Sequence, residues 1–134
     1  MKTFLVGLAI LCSLFTLTSC EADVDLRTVI DLDKPIQITI NDSTYNFDIN
    51  NPKKYIQPKS LKWYSLKEFA QNNLTGWKPT PASYFCEIYL TQGDFRLLYT
   101  HQGQGVVIGF PNENGEPLQY AKKIKNGDLD FLYD

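Results

Sequence analysis

The chain has 134 residues, with 15 acidic and 13 basic side chains and a formal net charge of −2. A mildly acidic chain of this length makes one domain of ordinary size and lacks the basic excess that nucleic-acid binding needs. One histidine and three cysteines are too few for a zinc site of the usual kind, so no metal and no cofactor is expected.

Chain order begins with a leader. Lys2 supplies a positive charge, and an apolar run extends from Phe4 to Phe15. The run is shorter than the ~20 residues a membrane span needs, and acidic, polar sequence follows it. This is the layout of a secretory signal peptide over residues 1–19, except that it ends in cysteine. The tetrapeptide Leu17-Thr18-Ser19-Cys20 resembles the lipobox of bacterial lipoproteins: aliphatic, small, small, Cys. The resemblance covers the leader alone. It implies that the Cys20 thiol carries a diacylglyceryl group, that cleavage falls before Cys20, and that the new amino group is often acylated. It also implies a place in the cell envelope, held to a membrane by lipid, with the choice of inner or outer membrane open. Cys12 then leaves with the leader and Cys20 is lipidated. Cys86 remains alone, so the domain is expected to fold without a disulfide.

Residues 20–33 carry many acids and no clear period, and they read as a lipidated tether. The domain proper is expected over 34–134. Ile36, Ile38 and Ile40 alternate on one strand face, Asn41-Asp42-Ser43 is turn chemistry, and Tyr45 to Ile49 alternates back. Ser65-Leu66-Lys67-Glu68 fits a capping box and predicts a short helix from Leu66 to about Asn73, with Leu66, Phe69, Ala70 and Leu74 inward. Gly76, Pro79 and Pro81 end it. A meander follows, with strands at Tyr84–Thr91, Phe95–Thr100, Val106–Phe110, Leu118–Lys125 and Leu129–Tyr133. Gln92-Gly93-Asp94 and Asn126-Gly127 are among its turns. The expected fold is α+β and strand-rich: an antiparallel sheet of about seven strands with one short helix.

Charge is unevenly placed. Acids dominate from Glu21 to Asn50, and lysines dominate from Asn51 to Thr80. Within the basic stretch, aromatics interleave with lysines: Lys53, Lys54, Tyr55, Lys62, Trp63, Tyr64, Trp77 and Lys78. This is the strongest candidate binding surface in the chain, suited to a protein face or an anionic envelope partner. In the competing and commoner arrangement, Trp63 and Trp77 pack inside and the lysines are ordinary surface. Chemistry has few places to reside. Cys86, in phase with Ile88 and Leu90, reads as a small buried hydrophobe that faces a position near Leu98 or Tyr99. His101 opens a Gly-rich loop and is a loop candidate for ligand contact. Glu87 has apolar neighbours, but alternation points it to the solvent face.

The leading expectation is a lipid-anchored, non-enzymatic envelope protein that binds a macromolecular partner. An immunity or exclusion lipoprotein that neutralises a toxin or phage factor is a specific version. A small hydrolase using Glu87, His101 or Cys86 is the remaining alternative.

Overall fold

The computed structural model describes residues 20–40, 54–81, 86–100 and 105–133. The leader 1–19, the predicted strand Tyr45–Ile49, Lys53 and His101 lie outside these. Seven strands form one antiparallel sheet: β1 (Ile36–Ile40), β2 (Lys54–Ile56), β3 (Lys78–Pro79), β4 (Ile88–Gln92), β5 (Phe95–Thr100), β6 (Gly105–Pro111) and β7 (Pro117–Lys123). Their order is β2-β1-β4-β5-β6-β7-β3. Among the described residues two helices accompany them, α1 (Leu26–Val29) and α2 (Leu61–Asn72), with a 3-10 turn at Asp130–Tyr133. This is the strand-rich α+β fold expected from the sequence.

Register gives the sheet two unlike faces, because side chains alternate along each strand. On one face, Ile38, Leu90, Leu97, Ile108 and Tyr120 form a row across five strands. Ile40, Ile88, Tyr99 and Val106 form the next row. Helix α2 closes this face with Trp63, Leu66, Phe69 and Ala70, which share one buried cluster with the strand residues. The spacing 63, 66, 69, 70 is the helical stripe that a core-facing helix requires.

Helix α2 begins five residues before the expected Leu66. Its cap is Ser60, whose Oγ accepts the Trp63 amide at 3.2 Å. Ser65 lies inside the helix, so the Ser65–Glu68 capping box does not form. The earlier start places Trp63 on the buried stripe, and an indole adds the largest apolar payload of any side chain. At the other end, Asn73 folds its amide back to donate to the Phe69 carbonyl at 2.9 Å. Leu74, expected inside, is 37% exposed because it follows this cap.

Two strands, β2 and β3, come from the lysine-rich stretch between Asn51 and Thr80, where only a helix is expected. They are close in sequence, yet α2 carries the chain from one edge of the sheet to the other. The expected strand Leu129–Tyr133 is instead a coil of three-residue turns. Amides of Asp128, Asp130 and Leu132 donate to carbonyls three residues back. Leu129 and Leu132 are buried, a spacing of three rather than two.

The predicted tether is part of the fold. Ala22 exchanges backbone hydrogen bonds with Trp77 at 2.7 and 3.3 Å, and the Val24 amide donates to Leu74. Val24, Leu26 and Ile30 are buried in the common core. Asp25 caps α1, accepting the Arg27 amide at 3.0 Å and both Nε and Nη2 of the Arg27 guanidinium. Among so many acids, the period of three buried residues was obscured. Further on, Gln92 pins the loop before β1. Its Oε1 accepts the Asp31 amide, and its Nε2 donates to the carbonyls of Asp31, Lys34 and Pro35.

Trp77 is wholly buried, and its Nε1 donates to the Asn73 carbonyl at 2.8 Å. Trp77→Ala is expected to lower stability by about 3–5 kcal/mol in urea titration, as other large-to-small core changes do. Asp25 supplies an acid-sensitive increment. The Arg27 side chain holds its carboxyl below the usual value of 3.8. Stability from a lowered carboxyl is present above the unfolded value and is lost as pH falls through the folded one. Asp25→Asn, which keeps a good cap, should therefore flatten the loss of stability as pH falls below about 4.

Candidate interaction surfaces

The aromatic-basic stretch does not form one surface. Lys54 and Tyr55 lie on β2 at one edge of the sheet, and Lys78 lies on β3 at the other. Six strand spacings of about 4.8 Å separate these edges, on the order of 30 Å along the sheet. Trp63 and Trp77 are core residues with satisfied ring nitrogens: Trp63 Nε1 donates to the Leu32 carbonyl at 2.9 Å and Trp77 to Asn73. They offer no exposed ring face for a partner. Contiguity in sequence was the only ground for grouping these residues, and the helix crossing disperses them.

A smaller patch survives on the outer side of α2. Leu61 is 88% exposed and Tyr64 is 53% exposed. Their spacing of three sets them on one side of the helix. Trp63 braces this side from below: the Tyr64 ring meets it edge-on, with centroids 4.8 Å apart, and Lys67 Nζ lies 5.4 Å from its centroid. Lys62 Nζ reaches toward the Leu132 carbonyl at 3.5 Å. The result is an exposed apolar pair near two lysines, with Tyr64 and Lys67 seated against a buried indole. Leu61 was missed in the sequence because it follows the true cap; an apolar residue off the buried stripe was its signal.

The second face of the sheet is open. Tyr55, Gln37, Thr91, Arg96, Gly109 and Gln119 form one row, and Thr39, Tyr89, Leu98, Val107, Ala121 and Lys78 form the next. Arg96 lies across Gly109, where a Cβ would fall 2.6 Å from its Nε. Toward β3 this face hollows into a groove of about 670 Å³. Its floor is Leu98, Thr100, Gly105, Val107 and Ala121, and its rim includes Glu21, Lys78, Lys122 and Lys123. The depth has a sequence cause: Gly105 and Ala121 put little side chain where neighbouring strands put much. Lys122 is fixed in place, its Nζ donating to the Thr75 carbonyl at 2.7 Å and lying 5.8 Å from the Trp77 ring centroid. Lys78 and Lys123 are exposed, Lys78 at 3.9 Å from Glu21.

Cys86 is half-buried, and burial pushes its thiol pKa up. A raised pKa leaves less thiolate, the form that attacks. Tyr99 pairs with Ile88 and Leu98 with Tyr89, so Cys86 does not face either residue as expected. The two-residue turn Gly93-Asp94, with Gly93 at φ 56, sets this register by bringing Gln92 opposite Phe95. The Glu87 carboxylate accepts the Tyr133 hydroxyl at 2.7 Å. Burial, and next this bond, hold the Tyr133 pKa well above the usual phenol range. Among the described residues, no three of His, Cys, Asp and Glu converge as a metal site, and no helix is long and apolar enough to cross a membrane. No protein-family model, curated protein or solved structure matches the chain.

Cys86 is therefore expected to alkylate slowly. In iodoacetamide labelling at pH 8, its rate in the native protein should fall at least tenfold below its rate in urea. A native rate equal to that in urea would show that burial does not protect the thiol, and a faster one would mark it as activated.

Proposed function

We propose that this chain is a lipid-anchored protein of the bacterial cell envelope that binds a macromolecular partner and performs no catalysis of its own. The observation that carries the partner reading is the Leu61–Tyr64 patch, an exposed aliphatic and aromatic pair whose tyrosine ring rests edge-on against a buried tryptophan. Large apolar side chains supported from beneath are the anchors around which interfaces form, and lysines on their rim steer an acidic partner. The leader ending in Leu17-Thr18-Ser19-Cys20 supports the anchor, and Cys20 is exposed, as a lipid site needs. Glu87 engaged by Tyr133, and a Cys86 thiol with a raised pKa, favour binding over hydrolysis.

An immunity or exclusion role is one version of this reading. Full-length protein extracted from bacterial membranes in mild detergent, cross-linked and analysed by mass spectrometry, tests it. We expect one stoichiometric protein whose capture drops at least tenfold in Leu61→Asp and Tyr64→Ala and is unchanged in Lys123→Gln. Both sites are exposed, so these changes leave the fold intact. A partner drawn from a neighbouring bacterium would specify the immunity role. Capture that ignores both substitutions would overturn the proposal.

A further inference from the structure

Resting on the reading of Cys20 as a lipid site, we propose that the groove beside Cys20 docks on the bilayer and takes the headgroups of anionic phospholipids, so that the open face of the sheet lies against the membrane.

The first ground is the absence of slack. Ala22 is locked to Trp77 by two backbone hydrogen bonds, and the next strand residue after Trp77 is Lys78, on the groove rim. Ala22 is two positions after Cys20, a reach of about 7 Å when fully extended. Glu21, between them, itself lines the groove. A lipid on Cys20 would enter the bilayer beside this groove, and the domain has no linker with which to stand away from it.

The second ground is charge. Two exposed lysines, Lys78 and Lys123, border the groove against one acid, Glu21, while Lys122 turns to the Thr75 carbonyl. The chain as a whole is acidic, so this is a local reversal of sign at the place nearest the anchor. Each lysine close to an anionic surface strengthens association on the order of fivefold. The glyceryl lipid attached to Cys20 carries no phosphate, so it makes no use of these lysines. The surrounding phospholipid does.

The third ground is the floor. Leu98, Val107 and Ala121 form an apolar row across three strands, and Val107 is buried without belonging to the core cluster. An apolar floor inside a basic rim matches the boundary between headgroup and acyl chain. Helix α2 packs on the other face of the sheet. Docking this way turns Leu61 and Tyr64 away from the membrane, toward a partner.

The test uses the full lipidated protein. Mass spectrometry of the N-terminal peptide first establishes whether Cys20 carries lipid, which judges the anchor reading by itself. The protein is then placed in vesicles of phosphatidylcholine, with or without 30 mol% phosphatidylglycerol, and its amines are acetylated. We expect Lys78 and Lys123 to react at least fivefold more slowly in the anionic vesicles, with Lys54, Lys62 and Lys67 unchanged. Equal slowing of all five lysines, or of none, would overturn the docking while leaving the anchor intact. If Cys20 proves bare, co-sedimentation of the same preparation with anionic vesicles decides the matter. Sedimentation lost in Lys78→Gln/Lys123→Gln supports the groove, and sedimentation that is absent or indifferent to this double variant overturns it.

Discussion

The fold depends on the burial of Trp77. Its indole is fully enclosed, its ring nitrogen is satisfied by Asn73, and its backbone pairs with Ala22. Lys122 crosses the ring from β7 and ends on the Thr75 carbonyl. One residue thus joins the end of α2, the N-terminal segment, the edge strand β3 and the last strand β7. Small domains have little surface to spare for burial, and one indole in such a junction removes apolar area from several elements together. The adjacent β3 is only two residues long. A strand so short contributes little pairing of its own, so its position is set by the residue before it.

A second constraint follows from the course of α2. The chain enters the helix from β2 at one edge and leaves it toward β3 at the other. The helix therefore covers one face of the sheet and leaves the opposite face to other contacts. That asymmetry is written in the strands. The covered face carries Ile, Leu, Val and Tyr in continuous rows, and the open face mixes Thr, Gln, Arg, Gly and Ala with a few apolar residues. Antiparallel sheets tolerate such a division because only one face must be buried.

Strands β1, β4, β5, β6 and β7 were legible because each alternates or is bounded by turn residues, Gly93 and Gly115 among them, both at positive φ. The antiparallel class followed from those hairpins. What escaped was set by tertiary contact. Strand β2 has three residues and β3 has two, too short for any period to show. Ser60 won over Ser65 as the cap because Trp63 gains burial, which a local capping box cannot register. The segment 22–33 was hidden by its acids, although Val24, Leu26 and Ile30 are core. Of the eight aromatic-basic residues singled out, only Lys62 and Tyr64 belong to the surface patch on α2. Trp63 serves it from below, Trp77 is a core junction, and Lys78 belongs to the groove. The groove itself had no sequence signature, since Leu98, Gly105, Val107 and Ala121 come together only through register.

The ordered N-terminal segment changes what an anchor at Cys20 means. A flexible tether would confine the domain near the membrane and leave its orientation free. Here the segment after Cys20 is bonded to Trp77 and Leu74 from its second residue, Ala22, onward. Orientation then becomes a property of the fold, decided by which surface borders Cys20. The surface that does so is basic at its rim and apolar at its floor, and the exposed helix patch lies across the sheet from it. Two surfaces that one sheet holds apart suit a protein whose two sides meet different surroundings, and the residue that fixes their relation is again Trp77.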